Sequence, residues 1–306
     1  MVIATMIAVL LYFSVLFGFA LLTYAFFWYE TANSRHRDHL ERLSKGRLGR
    51  WLVRGVVSSF ISQNLMILCY PLRFWRKLWR PIPDPVCPRP PVILIHGLYH
   101  NASGWFLYQW LLKRKGFRNT CAFEYSSACR SVDELVENLA QEINELSRQL
   151  PNQRVILVGH SLGGLVARLY VQDPKNAKKV AAVVTLGSPH RGTKLAVFGI
   201  GKLARSLTYE GQLFRELEQN TESSEVPRLA IYSPIDNMVL PNESLRLMQA
   251  GWSHLESFPV SHVAMLYHRP LAKLVIEYLQ IRALSPVVDH SCKDAEKCVM
   301  ESQDQR

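Results

Sequence analysis

The segment that most restricts the fold is RVILVGHSLGGLVARLY, residues 154–170. An apolar run stops at Gly159, Ser161 stands among three glycines, and helical sequence begins at once. A strand can turn into a helix this abruptly only if little side chain crowds the turn, and Gly159 and Gly163 leave that room. GHSLG also fits G-x-S-x-G, a strained strand–turn–helix in which the serine hydroxyl is lifted above a sheet.

The rest of the chain agrees with a sheet of that kind. PVILIHG (91–97), FRNTCAFEY, QRVILVG (153–159), KVAAVVTLG (179–187) and PRLAIYS (227–233) are short runs that read as strands. Between them lie SGWFLYQWLLKRKG, LGGLVARLYVQD and SVDELVENLAQEINELSRQL. The last of these puts Val132, Leu135, Val136, Leu139, Ile143 and Leu146 on one face and opens with a capping box from Ser131 to Glu134. Alternation of this sort predicts an α/β fold with a mostly parallel sheet flanked by helices, and a ligand site beyond the carboxyl ends of the strands. Residues 191–225 are long for a crossover and partly amphipathic; they read equally as a lid or as a crossover helix with a loop.

Upstream of this domain the composition changes. No charged side chain occurs from Val2 to Tyr29, a stretch longer than the roughly 20 residues that span a bilayer. With no basic n-region and no clear cleavage site, residues 1–30 are read as a transmembrane anchor rather than a signal peptide. Residues 31–90 form a basic juxtamembrane segment and proline-rich connector. From Glu30 to Arg80 there are eleven Lys/Arg against Glu30, Asp38 and Glu41, which accounts for eight of the formal +11. A basic excess beside an apolar helix suits anionic lipid headgroups, so residues 1–80 are expected to meet membrane lipid and nucleic acid is not expected as a partner. The positive-inside tendency places the following domain on the cytoplasmic side. Within the flank, Gly55–Leu72 is uncharged but diluted by Ser58, Ser59, Ser62, Gln63 and Asn64, and is read as an interfacial or protein-packed helix. The catalytic domain is expected over 91–284, with a polar tail over 285–306. The six cysteines have neither the density nor the spacing of a disulfide scaffold or zinc site, and no metal or cofactor is expected.

A serine hydroxyl needs a base within hydrogen-bond reach and a carboxylate to orient that base, in this fold in the order Ser, Asp or Glu, His. Asp236, in SPIDNMVLP, is the first carboxylate after a predicted strand end. His262 lies in a loop between a short extended run and the closing helix, a placement that favours it over His254 and His268. His160, inside the turn, is assigned to packing. Two backbone N–H donors must converge on a developing oxyanion; Leu162, directly after the serine, and Leu98, in the loop after the first domain strand, are the candidates.

VILIHGLYHNASGW, VILVGHSLGGLVARLY, VVTLGSPHRGTKLA, SPIDNMVLP and SHVAMLYHRP, in this order, resemble the α/β-hydrolase serine esterases, and more narrowly the bacterial triacylglycerol lipases. The resemblance runs from about Pro91 to Leu284. It implies Ser161, Asp236 and His262 as nucleophile, acid and base, Leu98 and Leu162 as oxyanion donors, and Ser188 to Thr193 near the site. The expected protein is a membrane-anchored carboxylic-ester hydrolase whose substrate is an acyl-ester lipid. A membrane acyltransferase using the same triad is the alternative, and a non-catalytic membrane scaffold is disfavoured by the presence of all three residues.

Overall fold

A computed structural model describes residues 1–127, 131–151, 153–219, 226–247 and 249–284. The tail 285–306, with Cys292 and Cys298, therefore lies outside the described residues, as do Cys129 and positions 220–225 of the 191–225 segment.

The first part of the chain is helical: α1 (Val2–Ala32), α2 (His36–Leu43), α3 (Leu48–Cys69) and the single turn α4 (Arg76–Trp79). The remainder alternates: β1 (Val92–Ile95), α5 (Phe106–Arg114), β2 (Thr120–Phe123), α6 (Val132–Gln149), β3 (Val155–His160), α7 (Leu162–Tyr170), α8 (Pro174–Ala177) and β4 (Val180–Leu186), then α9 (Lys202–Ser206), α10 (Gln212–Gln219), β5 (Arg228–Tyr232), β6 (Trp252–Glu256) and α11 (Arg269–Leu284). The capping box is formed, with Ser131 Oγ accepting from the Glu134 N–H at 3.2 Å.

Among the described residues six strands make one sheet in the order β2-β1-β3-β4-β5-β6, and each pairing is parallel. Strands buried on both faces carry unbroken aliphatic runs instead of alternation, as the fully buried Val92–Ile95 and Val155–His160 do. One face is covered by α5, the turn that leads into it and α11, through Trp105, Tyr108, Leu112, Leu271, Val275 and Leu279. The other is covered by α6 and α7, and by the 191–219 segment through Ala196, Leu203, Leu207, Phe214 and Leu217. The strand order reverses between β1 and β3, and it is at such a switch that the loops part to leave a crevice at the carboxyl ends of the strands.

The N-terminal helices form an antiparallel hairpin. Tyr24 of α1 crosses Gly55 of α3, and Phe13 and Phe17 pack against Phe60 with ring centroids 6.1 and 5.8 Å apart. At 31 residues α1 is about 46 Å long at 1.5 Å per residue, more than the roughly 30 Å of a bilayer core. Its first part is exposed and apolar, while Ala20, Thr23, Tyr24, Phe27 and Thr31 are buried. A third apolar cluster of Tyr24, Phe27, Leu40, Leu48, Ile235 and Leu240 seats the hairpin on the loop after β5. In α3 the polar dilution has a physical reason. Ser59, Ser62 and Gln63 are buried with Gly55, whereas Val53, Val57, Ile61 and Leu68 face outward.

Candidate active site

Ser161 sits at the switch point, between β3 and α7. Its backbone takes φ 55° and ψ −123°, a region that non-glycine residues rarely enter and that stores strain at functional turns. Its N–H donates to the Leu186 carbonyl at 2.9 Å, which ties the elbow to β4. Gly163 is required by close approach, since a Cβ there would lie 2.2 Å from the Ile95 carbonyl oxygen. The contact brings the end of β1 against the first turn of α7. A Cβ built on Gly97 would meet the Ser161 Cβ at 3.0 Å, so the loop carrying Leu98 adjoins the serine. Leu162 is the first residue of α7 and fully buried. Free N–H groups and the positive dipole end of that helix face the same place.

Asp236 and His262 come together at the ends of β5 and β6. His262 Nδ1 is 2.7 Å from Asp236 Oδ2, with the carboxylate fully buried and the imidazole 7% exposed. The other carboxylate oxygen, Oδ1, accepts from the N–H groups of Met238 and Val239 at 2.9 and 3.0 Å. Three hydrogen bonds hold the loops that carry these residues. Ser233 Oγ donates to the Val260 carbonyl at 2.6 Å and accepts from its N–H at 3.1 Å. Asn237 Oδ1 accepts from the His262 N–H at 3.1 Å. The rivals are elsewhere: His254 is on β6 paired with Ala230, and His268 accepts from the Leu271 N–H at the start of α11 and packs on Phe258.

His160 is fully buried beside the pair. Its Nε2 is 3.1 Å from the His262 carbonyl oxygen and its ring centroid 4.6 Å from that of His262. Burial, followed by the nearby His262 and His100 imidazoles, pushes it well below the usual histidine range. His96, stacked on Tyr125 at 4.1 Å, is pushed down to about 4, chiefly by burial. These rings are neutral polar walls at physiological pH. Among the described residues no group of three or more His, Cys, Asp or Glu is placed to hold a metal ion.

Ser233, Asn237 and the helix residues that touch this site were not identified from the sequence. Thr23 and Tyr24 are polar groups inside the uncharged run, but Thr5, Tyr12 and Ser14 share that character and so the sequence does not single them out; in the structure both are engaged. The first donates to the Phe19 and Ala20 carbonyls, and Tyr24 Oη donates to the Ile235 carbonyl at 2.9 Å, next to Asp236.

Parallel sheet order, elbow and buried Asp–His pair define the α/β-hydrolase fold. The mature lipase BlEst2 of Bacillus licheniformis superimposes with a TM-score of 0.55 at 18% identity, over 67% of this chain and 96% of that one. A family model described as a PGAP1-like alpha/beta domain matches residues 119–268. Methylesterase 2 of Arabidopsis thaliana is 32% identical over 152 residues, 48% of this chain and 57% of that protein. GPI inositol-deacylase of Candida albicans is 27% identical over 166 residues, 51% of this chain and 37% of that protein. The chain thus spans less than two thirds of the length of these curated relatives. Fold and sequence likeness together support an α/β-hydrolase of the serine esterase and lipase type.

Proposed function

We propose that the protein is a membrane-anchored serine carboxylic-ester hydrolase acting on acyl lipids. The observation that carries this reading is the buried Asp236–His262 pair, 2.7 Å apart, whose histidine carbonyl lies 3.1 Å from Nε2 of His160, the neighbour of a serine held at φ 55°. Because Nδ1 is committed to Asp236, Nε2 is the nitrogen left to serve Ser161. It takes the hydroxyl proton as Oγ attacks the ester carbonyl, and Asp236 stabilises the imidazolium. The N–H groups of Leu98 and Leu162 stabilise the tetrahedral oxyanion. Collapse breaks the ester C–O bond, the alcohol leaves with the proton from His262, and water then cleaves the acyl-enzyme by the same route.

A lipid substrate is supported by the rim of the site. Tyr99, next to Leu98, donates its hydroxyl to the Ile200 carbonyl at 2.7 Å and accepts from the Ile200 N–H at 2.8 Å. It thereby holds a crest in which Val197, Phe198 and Ile200 are 68%, 68% and 83% exposed. Phe198 stacks on Phe26 of α1 with centroids 5.4 Å apart, so the crest is continuous with the apolar shaft of α1. An exposed apolar surface of this kind suits a bilayer, and an ester lipid would then reach the serine from the membrane side. The basic flank supports a cytoplasmic orientation. GPI inositol-deacylase, by its name, removes an acyl group from inositol; an acyl ester on a lipid headgroup is accordingly the substrate class we favour.

A fluorophosphonate should label the wild type, and Ser161→Ala should lose both labelling and hydrolysis of a panel of esters of increasing acyl length. Labelling that persists in Ser161→Ala would remove Ser161 as nucleophile.

A further inference from the structure

The helical hairpin does more than sit beside the catalytic domain, because it touches both loops that carry Asp236 and His262. Tyr24 Oη of α1 donates to the Ile235 carbonyl at 2.9 Å, and His36 Nε2 of α2 lies 2.8 Å from the Pro234 carbonyl oxygen. Ser58 Oγ of α3 accepts from the Ser261 N–H at 3.0 Å. Between these contacts lies Asn237, 2% exposed. Its Oδ1 accepts from the His262 N–H at 3.1 Å, while its Nδ2 donates to Thr23 Oγ1 at 2.8 Å and reaches Ser59 Oγ at 3.4 Å. The amide orientation is forced, since a backbone N–H only donates and must face the carbonyl oxygen.

Thr23 and Ser59 are 4% and 3% exposed. Thr23 Oγ1 already has backbone carbonyls of its own helix to donate to, Phe19 and Ala20, each at 3.1 Å. Helix formation therefore does not require its oxygen to face Asn237. A buried amide N–H, by contrast, needs an acceptor; Thr23 and Ser59 are the two that reach it. Removing them leaves Nδ2 without a partner and frees the side chain whose other end sets the His262 backbone.

We infer that Asn237 is a positioning residue, latched by Thr23 of α1 and Ser59 of α3, so that the membrane-helix hairpin is a working part of the acid–base machinery and not only a tether. The inference rests on the hydrolase reading above. It makes the hairpin the third wall of the site: β5 and β6 bring the two loops near each other, and the hairpin fixes their relative position. A displacement of about 1 Å in such a group is worth on the order of 10²-fold in rate.

The test uses the full chain in detergent micelles with a soluble short-chain ester, so that membrane partition of the substrate plays no part. Asn237→Ala and the double variant Thr23→Val/Ser59→Ala are expected to lower kcat by roughly 10- to 100-fold with KM within about two-fold. Fluorophosphonate labelling of Ser161 should slow in parallel. Thr23→Val matches threonine in shape and suits an apolar helix, so the folded protein is retained, as a melting curve would record. Thr23→Ser, which keeps the hydroxyl, should restore kcat to within about three-fold of the wild type when combined with native Ser59. Unchanged kcat in the double variant overturns the inference, as does a loss that appears in KM alone or a Thr23→Ser variant as slow as the double variant. Retained hydrolysis in Ser161→Ala would instead remove the hydrolase reading itself, which keeps the two failures apart.

Discussion

Gly163→Ala tests the geometry of the elbow directly. An added Cβ would lie 2.2 Å from the Ile95 carbonyl oxygen and 2.6 Å from that of His96, whereas a relaxed carbon–oxygen contact is about 3.3 Å. Both atoms belong to backbone at the end of a buried strand, so neither can rotate aside, and the first turn of α7 must retreat by about 1 Å. Ser161 and Leu162 ride on that turn and Leu98 follows the strand. The serine and the two proposed oxyanion donors are therefore pulled apart along the line of the clash. Misplacement on this scale costs on the order of 10²-fold in kcat, and overpacking of this kind about 1–3 kcal/mol of stability. At roughly 2–4 °C per kcal/mol, the melting temperature should drop by about 2–12 °C. Gly49→Ala is the matched control, because nothing lies within 4 Å of its Cβ position in α3; it should leave kcat unchanged and raise stability by up to about 1 kcal/mol. Both proteins are assayed with the same short-chain ester and melted side by side. Wild-type kcat and melting temperature in Gly163→Ala would refute the close approach of β1 to α7.

Three further outcomes are expected. His96 is held down to about 4 and His160 well below its ordinary value, both chiefly by burial. Between about pH 6.5 and 4 the unfolded chain therefore binds protons that the folded protein refuses. This contribution to stability is intact above pH 6.5 and falls with pH by about 1.4 kcal/mol per unit for each ring; a urea midpoint equal at pH 7 and pH 5 would contradict it. Phe198→Glu removes an exposed ring from the apolar crest, where burial of such a side chain is worth about 1.5–3 kcal/mol, so vesicle-borne ester should be cleaved at least about ten-fold more slowly while a soluble ester is cleaved as before. Gly55→Val forces a side chain into the Tyr24 ring, 2.4 Å from the Cβ position; it should lower stability by about 1–3 kcal/mol, read as a fall in the melting temperature of the full chain.

Much of the domain is legible in one dimension because its signals are local. Fully buried parallel strands need uninterrupted aliphatic runs, so β1, β3 and β4 announce themselves, and the serine between Gly159 and Gly163 stands at a turn that few other residues permit. The capping of α6 by Ser131 is equally local. Asp236 and His262 could be picked only by order and loop placement, and the loops themselves do not state that the two side chains meet. Asn237 gives no local signal at all. It lies beside Asp236 in an ordinary polar turn, and its partner Thr23 is 214 positions away.

The sequence by itself therefore determined the alternating α/β architecture, the elbow and the apolar N-terminal helix, since each follows from side-chain periodicity or from steric demands within a few residues. Tertiary structure alone decided which histidine faces Asp236, how close β1 comes to α7, and that α1 and α3 pack on the loops that carry Asp236 and His262. Those relations depend on the order of strands in the sheet and on buried polar groups finding distant partners, and a burial penalty is met only when the whole chain has closed around them.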